Sequence, residues 1–127
     1  MQDKYLYEYA VIRIVPRVER EEFLNVGIIL YCSKQGFLEA KIQLNEVRFN
    51  AFPCTVESSE LQEYLQTWQR ICKGGKDGGP IGKLPISSRF RWLTSTRSTI
   101  VQTSKVHPGF CNNATETLES LFQDLVL

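Results

Sequence analysis

Two stretches near the N-terminus constrain this chain more than anything else in it. Lys4 to Val15 and Asn25 to Cys32 (NVGIILYC) are rich in Tyr, Val and Ile, residues that fit a pleated surface, and both predict strands. The first alternates Tyr5, Tyr7, Tyr9, Val11 and Arg13 with Leu6, Glu8, Ala10, Ile12 and Ile14. Both faces are mostly apolar, so an interior strand is expected. Pro16 ends it by withholding an amide donor. The second run is almost unbroken, and Gly27 inside it marks a bulge or a close approach by another backbone. Ser33-Lys34-Gln35-Gly36 forms a tight turn, with Gly36 supplying positive φ, into a third strand at Phe37 to Leu44.

The hydrophobic period then changes from two to 3.6. From Ser59, apolar residues recur at Leu61, Tyr64, Leu65, Trp68, Ile71 and Cys72, which paints one face of a helix. Ser59 with Gln62 has capping-box form, and Gly74-Gly75 is a natural stop. A second helix closes the chain. Asn113 caps it, Glu116 answers, and Leu118, Leu121, Phe122 and Leu125 make its buried stripe. Between the helices, Lys73 to Pro85 (KGGKDGGPIGKLP) reads as a glycine-rich loop. Arg89 to Leu93 reads as a helical turn, Thr99 to Gln102 as a short strand, and His107-Pro108-Gly109 as a turn. The expectation is an α+β fold over residues 1–127, one domain, with an antiparallel sheet of three to four strands and two helices packed on one face.

Fifteen Lys and Arg against fourteen Asp and Glu leave a net charge of +1, which excludes a generally basic nucleic-acid binder. No apolar run approaches the length of a membrane-spanning helix, and MQDKYLYEY does not read as a leader; a cytoplasmic protein without a membrane role is expected. Cys32, Cys54, Cys72 and Cys111 contain no C-x-x-C pair and are read as reduced structural thiols, with neither metal nor cofactor.

Charge is unevenly distributed. Residues 73–105 hold seven basic residues and one acidic, Asp77, among glycines and hydroxyls that could donate to anionic oxygen. A phosphate-loop reading fails, since Asp77 stands at the required glycine and Leu84 follows Gly82-Lys83. Arg17, Glu19, Arg20, Glu21 and Glu22 crowd the connection between the first two strands, alternating in the manner of a salt-linked exposed segment. His107, with Cys111 four residues on, lacks a legible third orienting residue and is read as a turn histidine. Tyr5, Tyr7 and Tyr9, with Arg13 beyond, resemble a stacking platform for bases, although such tyrosines more often pack a helix.

The order YEYAVIRIVPRVEREEFLNVGIIL at Tyr7 to Leu30, with FRWLTSTRSTIVQTSKVHPG at Phe90 to Gly109 and a closing LESLFQDLV, resembles an uncharacterised bacterial family known as domain of unknown function 3037. The resemblance covers essentially the whole chain and implies no established activity. Members of that family are often encoded beside HipA-like serine/threonine kinases, which implies a kinase as functional partner. The matching polar positions are Arg13, Arg17, Glu19, Arg20, Asn25, Arg91, Arg97, Ser98 and His107. Lys73 to Lys83 lies outside the signature, which moves weight from its lysines to Arg91 and Arg97. The leading expectation is therefore a small interaction or regulatory module, linked to a HipA-like kinase or a toxin–antitoxin-type system, and not an enzyme. The competing reading is a phosphate- or nucleic-acid-handling protein, an enzyme included, built on an arginine cluster with Glu19 or Glu22 nearby. A clustered arginine pocket would favour the second reading, and a flat apolar patch beside scattered charges the first.

Overall fold

In the computed structural model, which describes residues 5–52, 56–96 and 99–127, β1 (Tyr5–Ile14), β2 (Leu24–Cys32) and β3 (Phe37–Ile42) follow one another as an antiparallel meander. Ile12 faces Gly27 while Arg13 faces Asn25, so Val26 is the extra residue of a bulge. A Cβ on Gly27 would lie 2.7 Å from the Lys41 carbonyl oxygen. This glycine thus serves both the bulge and the close approach of β3. After β3 come α1 (Glu46–Asn50), α2 (Ser58–Lys73), α3 (Gly79–Gly82) and α4 (Ile86–Thr94), then β4 (Val101–Thr103), β5 (His107–Cys111) and α5 (Ala114–Leu125). The class is α+β with an antiparallel sheet, as expected from the sequence.

The sheet has five strands, not three to four, but they fill only four positions. β4 pairs with Ile12–Ile14 and β5 with Tyr5–Tyr9, in line along the same edge of β1. Ser104 bridges the interruption: the Val11 amide donates to its Oγ at 2.8 Å, and its own amide donates to the Val11 carbonyl at 2.8 Å. The segment expected to turn at His107-Pro108-Gly109 is therefore strand. Pro108 is tolerated because β5 lies at an edge, where a missing amide donor need not cost a ladder bond.

The two long helices do not share one face. α2 and α4 pack against Ala10, Ile12, Ile14, Ile29 and Leu38, whereas α5 covers Val11, Ile28, Leu30 and Cys32 from the opposite side. The cause lies in the strands themselves: β1 and β2 are apolar on both faces, and both must be kept from water. Trp68 sits in the middle of the α2 stripe at 1% exposure.

Three local expectations also need correction. α2 begins at Ser58 behind Glu57, without a side-chain cap, and Gln62 donates to Glu46 instead of closing a capping box. The glycine-rich stretch is not a simple loop, since it forms a 3₁₀ turn at Lys76–Gly78 and then α3. Gly74, at φ 82°, ends α2 beside Arg89, whose guanidinium nitrogen a Cβ would meet at 2.7 Å. In α5, Asn113 accepts from the Glu116 amide as expected, but Leu125 is 38% exposed and Val126 takes its place in the core. Among the described residues, no helix is long and apolar enough to cross a membrane.

Candidate functional site

The polar residues singled out in the sequence are dispersed by the fold. Arg17 pairs with Glu19 at 2.9 Å, and Arg20 pairs with Glu22, all on the exposed β1–β2 connection. A hydrogen bond to its own backbone and the Arg17 guanidinium hold the Glu19 carboxyl below its ordinary range. Arg13 and Asn25 are brought together as register partners on the face that α5 covers. Arg13 lies over the Phe23 ring, 3.9 Å from its centroid, and partial burial lowers its pKa. Asn25 donates to the Leu125 carbonyl at 3.1 Å. The Arg13 Nε and the Asn25 Oδ1 are buried donor and acceptor atoms, each left without a protein partner.

His107 is on the same face as Arg13 but four strand positions away, opposite Tyr9, about 13 Å along the strand. Its ring stands 5.3 Å from that of Tyr9, which is in turn 6.2 Å from Tyr7. Cys111, read as its conceivable partner, is buried at the far end of β5, opposite Tyr5. Cys32 and Cys72 are buried free thiols, and burial pushes Cys72 up to about 12. Arg97, Ser98 and Cys54 lie outside the described residues. Among the described residues, no three His, Cys, Asp or Glu side chains are grouped to hold a metal ion.

The basic segment after the glycines is used internally. Arg89 donates to two C-terminal carbonyls of α2, those of Ile71 at 2.9 Å and Cys72 at 2.7 Å, and to the Leu84 carbonyl ahead of α4 at 3.1 Å. Arg91 makes a bidentate pair with Glu8, at 2.9 and 2.7 Å, joining α4 to β1. The hydrogen bonds that Arg91 donates to Glu8 raise its pKa. No arginine pocket containing Glu19 or Glu22 forms among the described residues.

What the fold does expose is a cross-strand apolar pair. Leu6 faces Phe110 in the β1–β5 ladder, and the two are 51% and 64% exposed. Leu6 shares the side of β1 that carries Ala10 and Ile12, so the pair extends the α2–α4 core past its edge. Two rungs inward, on the same face, Glu8 faces Pro108, and its pair with Arg91 borders the patch with charge. Phe110 was missed because its strand was read as a turn. The signal available was the alternation of Val106, Pro108 and Phe110 against the strand-rich N-terminus.

Residues 9–126 match the family model described as "Protein of unknown function (DUF3037)". No curated protein and no solved structure matches the chain.

Proposed function

The chain belongs to the DUF3037 family, and from that premise we propose that it is an interaction or regulatory module that docks a protein partner through the Leu6–Phe110 end of its sheet. One observation carries the reading: an apolar cross-strand pair stands in solvent beside a bidentate ion pair, while Arg17, Arg20, Arg89 and Arg91 are bound within their own chain. Paired aromatic and aliphatic side chains with a charged rim suit a protein surface better than a small polar ligand. The resemblance to a family encoded beside HipA-like kinases makes such a kinase the first partner to test, in a cytoplasmic, toxin–antitoxin-type setting.

Co-expression with a HipA-like kinase from the same genome tests the proposal. The native chain should retain the kinase through purification, and the Leu6→Ser/Phe110→Ser variant should lose at least tenfold in affinity with its thermal midpoint nearly unchanged. Equal retention by both chains overturns the docking surface. The alternative of phosphate or nucleic-acid handling draws support from the row of Arg13, Tyr9, Tyr7 and His107 on the other face. Tight oligonucleotide binding that falls steeply with salt, and is lost in Arg13→Ala, would decide for it.

A further inference from the structure

β3 is the outer strand of the sheet, and among the described residues nothing pairs with its free side. The ladder to β2 fixes which backbone groups point outward. The Gln43 amide donates to the Val26 carbonyl at 2.7 Å, so residues 37, 39, 41 and 43 bond inward. Leu38, Ala40 and Ile42 consequently turn their amides and carbonyls away from the sheet. The Ala40 carbonyl accepts from the Gln69 side chain at 3.4 Å, which agrees with this alternation and leaves a second lone pair. Along this side, two depressions of about 510 and 250 Å³ run between β3 and α2, from Gly36 to Leu44, and Gln69 lines both.

We propose that a second copy of this chain fills that space, with β3 pairing antiparallel to β3 about a two-fold axis at Ala40. The strand reads Phe37-Leu38-Glu39-Ala40-Lys41-Ile42, and it is self-complementary about its fourth residue. Ala40 meets Ala40 as a hydrogen-bonded pair, and Leu38 meets Ile42 of the second copy in the same relation. Glu39 then falls opposite Lys41 of the second copy, twice, at the close non-hydrogen-bonded positions where opposite charges reinforce a sheet. Both side chains lie on the α5 face, where Lys41 already rests beside Glu119 and over the Phe122 ring. An isologous interface needs this kind of match, since each residue must suit its own symmetry partner. An unrelated extended peptide could use the outward amides, but it would have no reason to carry this charge order. The result is one continuous sheet across two copies.

Sedimentation of the full chain against concentration tests the proposal. The native protein should shift from 14.6 kDa to twice that mass as its concentration rises through the micromolar range. Glu39→Lys and Lys41→Glu should each weaken self-association at least tenfold, because like charges then face each other at both positions. Mixing the two variants should restore the dimer as a heterodimer. Ala40→Pro removes an outward amide without touching the β2 ladder, and it should stay folded and monomeric. Hydrogen exchange gives an independent reading: association should slow the Leu38, Ala40 and Ile42 amides selectively. A native chain that stays monomeric, with or without a bound peptide, overturns the proposal. So does a dimer that survives the single charge reversals or fails to reform in the mixture.

Discussion

On the face covered by α2 and α4, β1 buries Ala10, Ile12 and Ile14 completely; on the face covered by α5, the same strand buries Val11 but leaves Tyr5, Tyr7 and Tyr9 half-buried toward its N-terminus. The difference follows from the area each cover can reach. α5 has 12 residues, about 18 Å of helix, and it lies over β2 and β3. The β1–β5 side of that face is left to side chains that tolerate water at one end. Tyrosine suits the position, since its ring packs while its hydroxyl meets solvent. The α2–α4 face is pure hydrocarbon where its helices reach, from Ala10 to Ile14, and gives way beyond them to the half-buried Glu8 and the exposed Leu6. Over that same stretch the α5 face carries amphipathic rings.

The largest test of this contrast is truncation on each side. Trp68→Ala opens a void between α2 and the sheet and should cost about 4–5 kcal/mol; Phe122→Ala under the single helix α5 should cost about 3 kcal/mol, because that cover can settle inward. Urea unfolding of both variants measures the pair. An equal or larger loss for Phe122→Ala would mean that the α5 face is as rigidly packed as the other. Gly27→Ala should follow at about 1–3 kcal/mol, since the new methyl meets the Lys41 backbone, and no side-chain rotation can relieve it.

Cys72 extends the contrast to pH. Burial on the inner face of α2 raises its pKa to about 12, above the value of a solvated thiol. The folded state therefore favours the protonated thiol, and this contribution is fully present below the unfolded pKa. It is lost as pH rises from there toward the folded value. Stability should accordingly fall on the alkaline side, with a shallower slope in Cys72→Ala. Thiol reagents at neutral pH should reach Cys72 only on unfolding, and denatured protein should titrate four thiols if all are reduced.

How far the sequence could be read follows the same division. Strands β1 to β3, the Gly27 bulge, the α2 stripe apart from Tyr64, which is exposed, and the Asn113 cap are legible because each depends on period or on a single residue's backbone chemistry. The placement of α5 opposite α2 departs from the expected one-sided packing, although both faces of β1 are apolar and already require two covers. β5 was hidden because Pro108 and Gly109 speak for a turn wherever the strand is not at an edge. Gly109 is itself a packing choice, since a Cβ there would strike the Tyr7 ring at 2.5 Å. The arginines were read by type, but their partners are remote in sequence: Arg91 finds Glu8 across 83 positions, and Arg89 finds the end of α2. Exposed candidates cannot be told from occupied ones until tertiary contacts are known.

The smallest predicted effects separate the two main helices by their caps. Asn113 accepts from the Glu116 amide at 3.0 Å, so Asn113→Ala should cost about 1 kcal/mol by leaving one of the first-turn donors of α5 unmet. α2 starts behind Glu57 with no side-chain bond to its first amides, and its side chain is too long to fold back as Asn or Ser does. Glu57→Ser at the same extended backbone should therefore stabilise the protein by a few tenths of a kcal/mol to about 1 kcal/mol. The gain has an upper bound, because Glu57 also places negative charge at the positive end of α2, and the serine gives that up. Thermal unfolding of Glu57→Ser and Glu57→Asp together resolves the two effects. If the capping bond dominates, both variants gain, with Asp ahead because it keeps the charge; if charge dominates, Asp is neutral and Ser loses stability. A loss in both would mean that the long Glu57 side chain makes a contact that the shorter residues cannot reach.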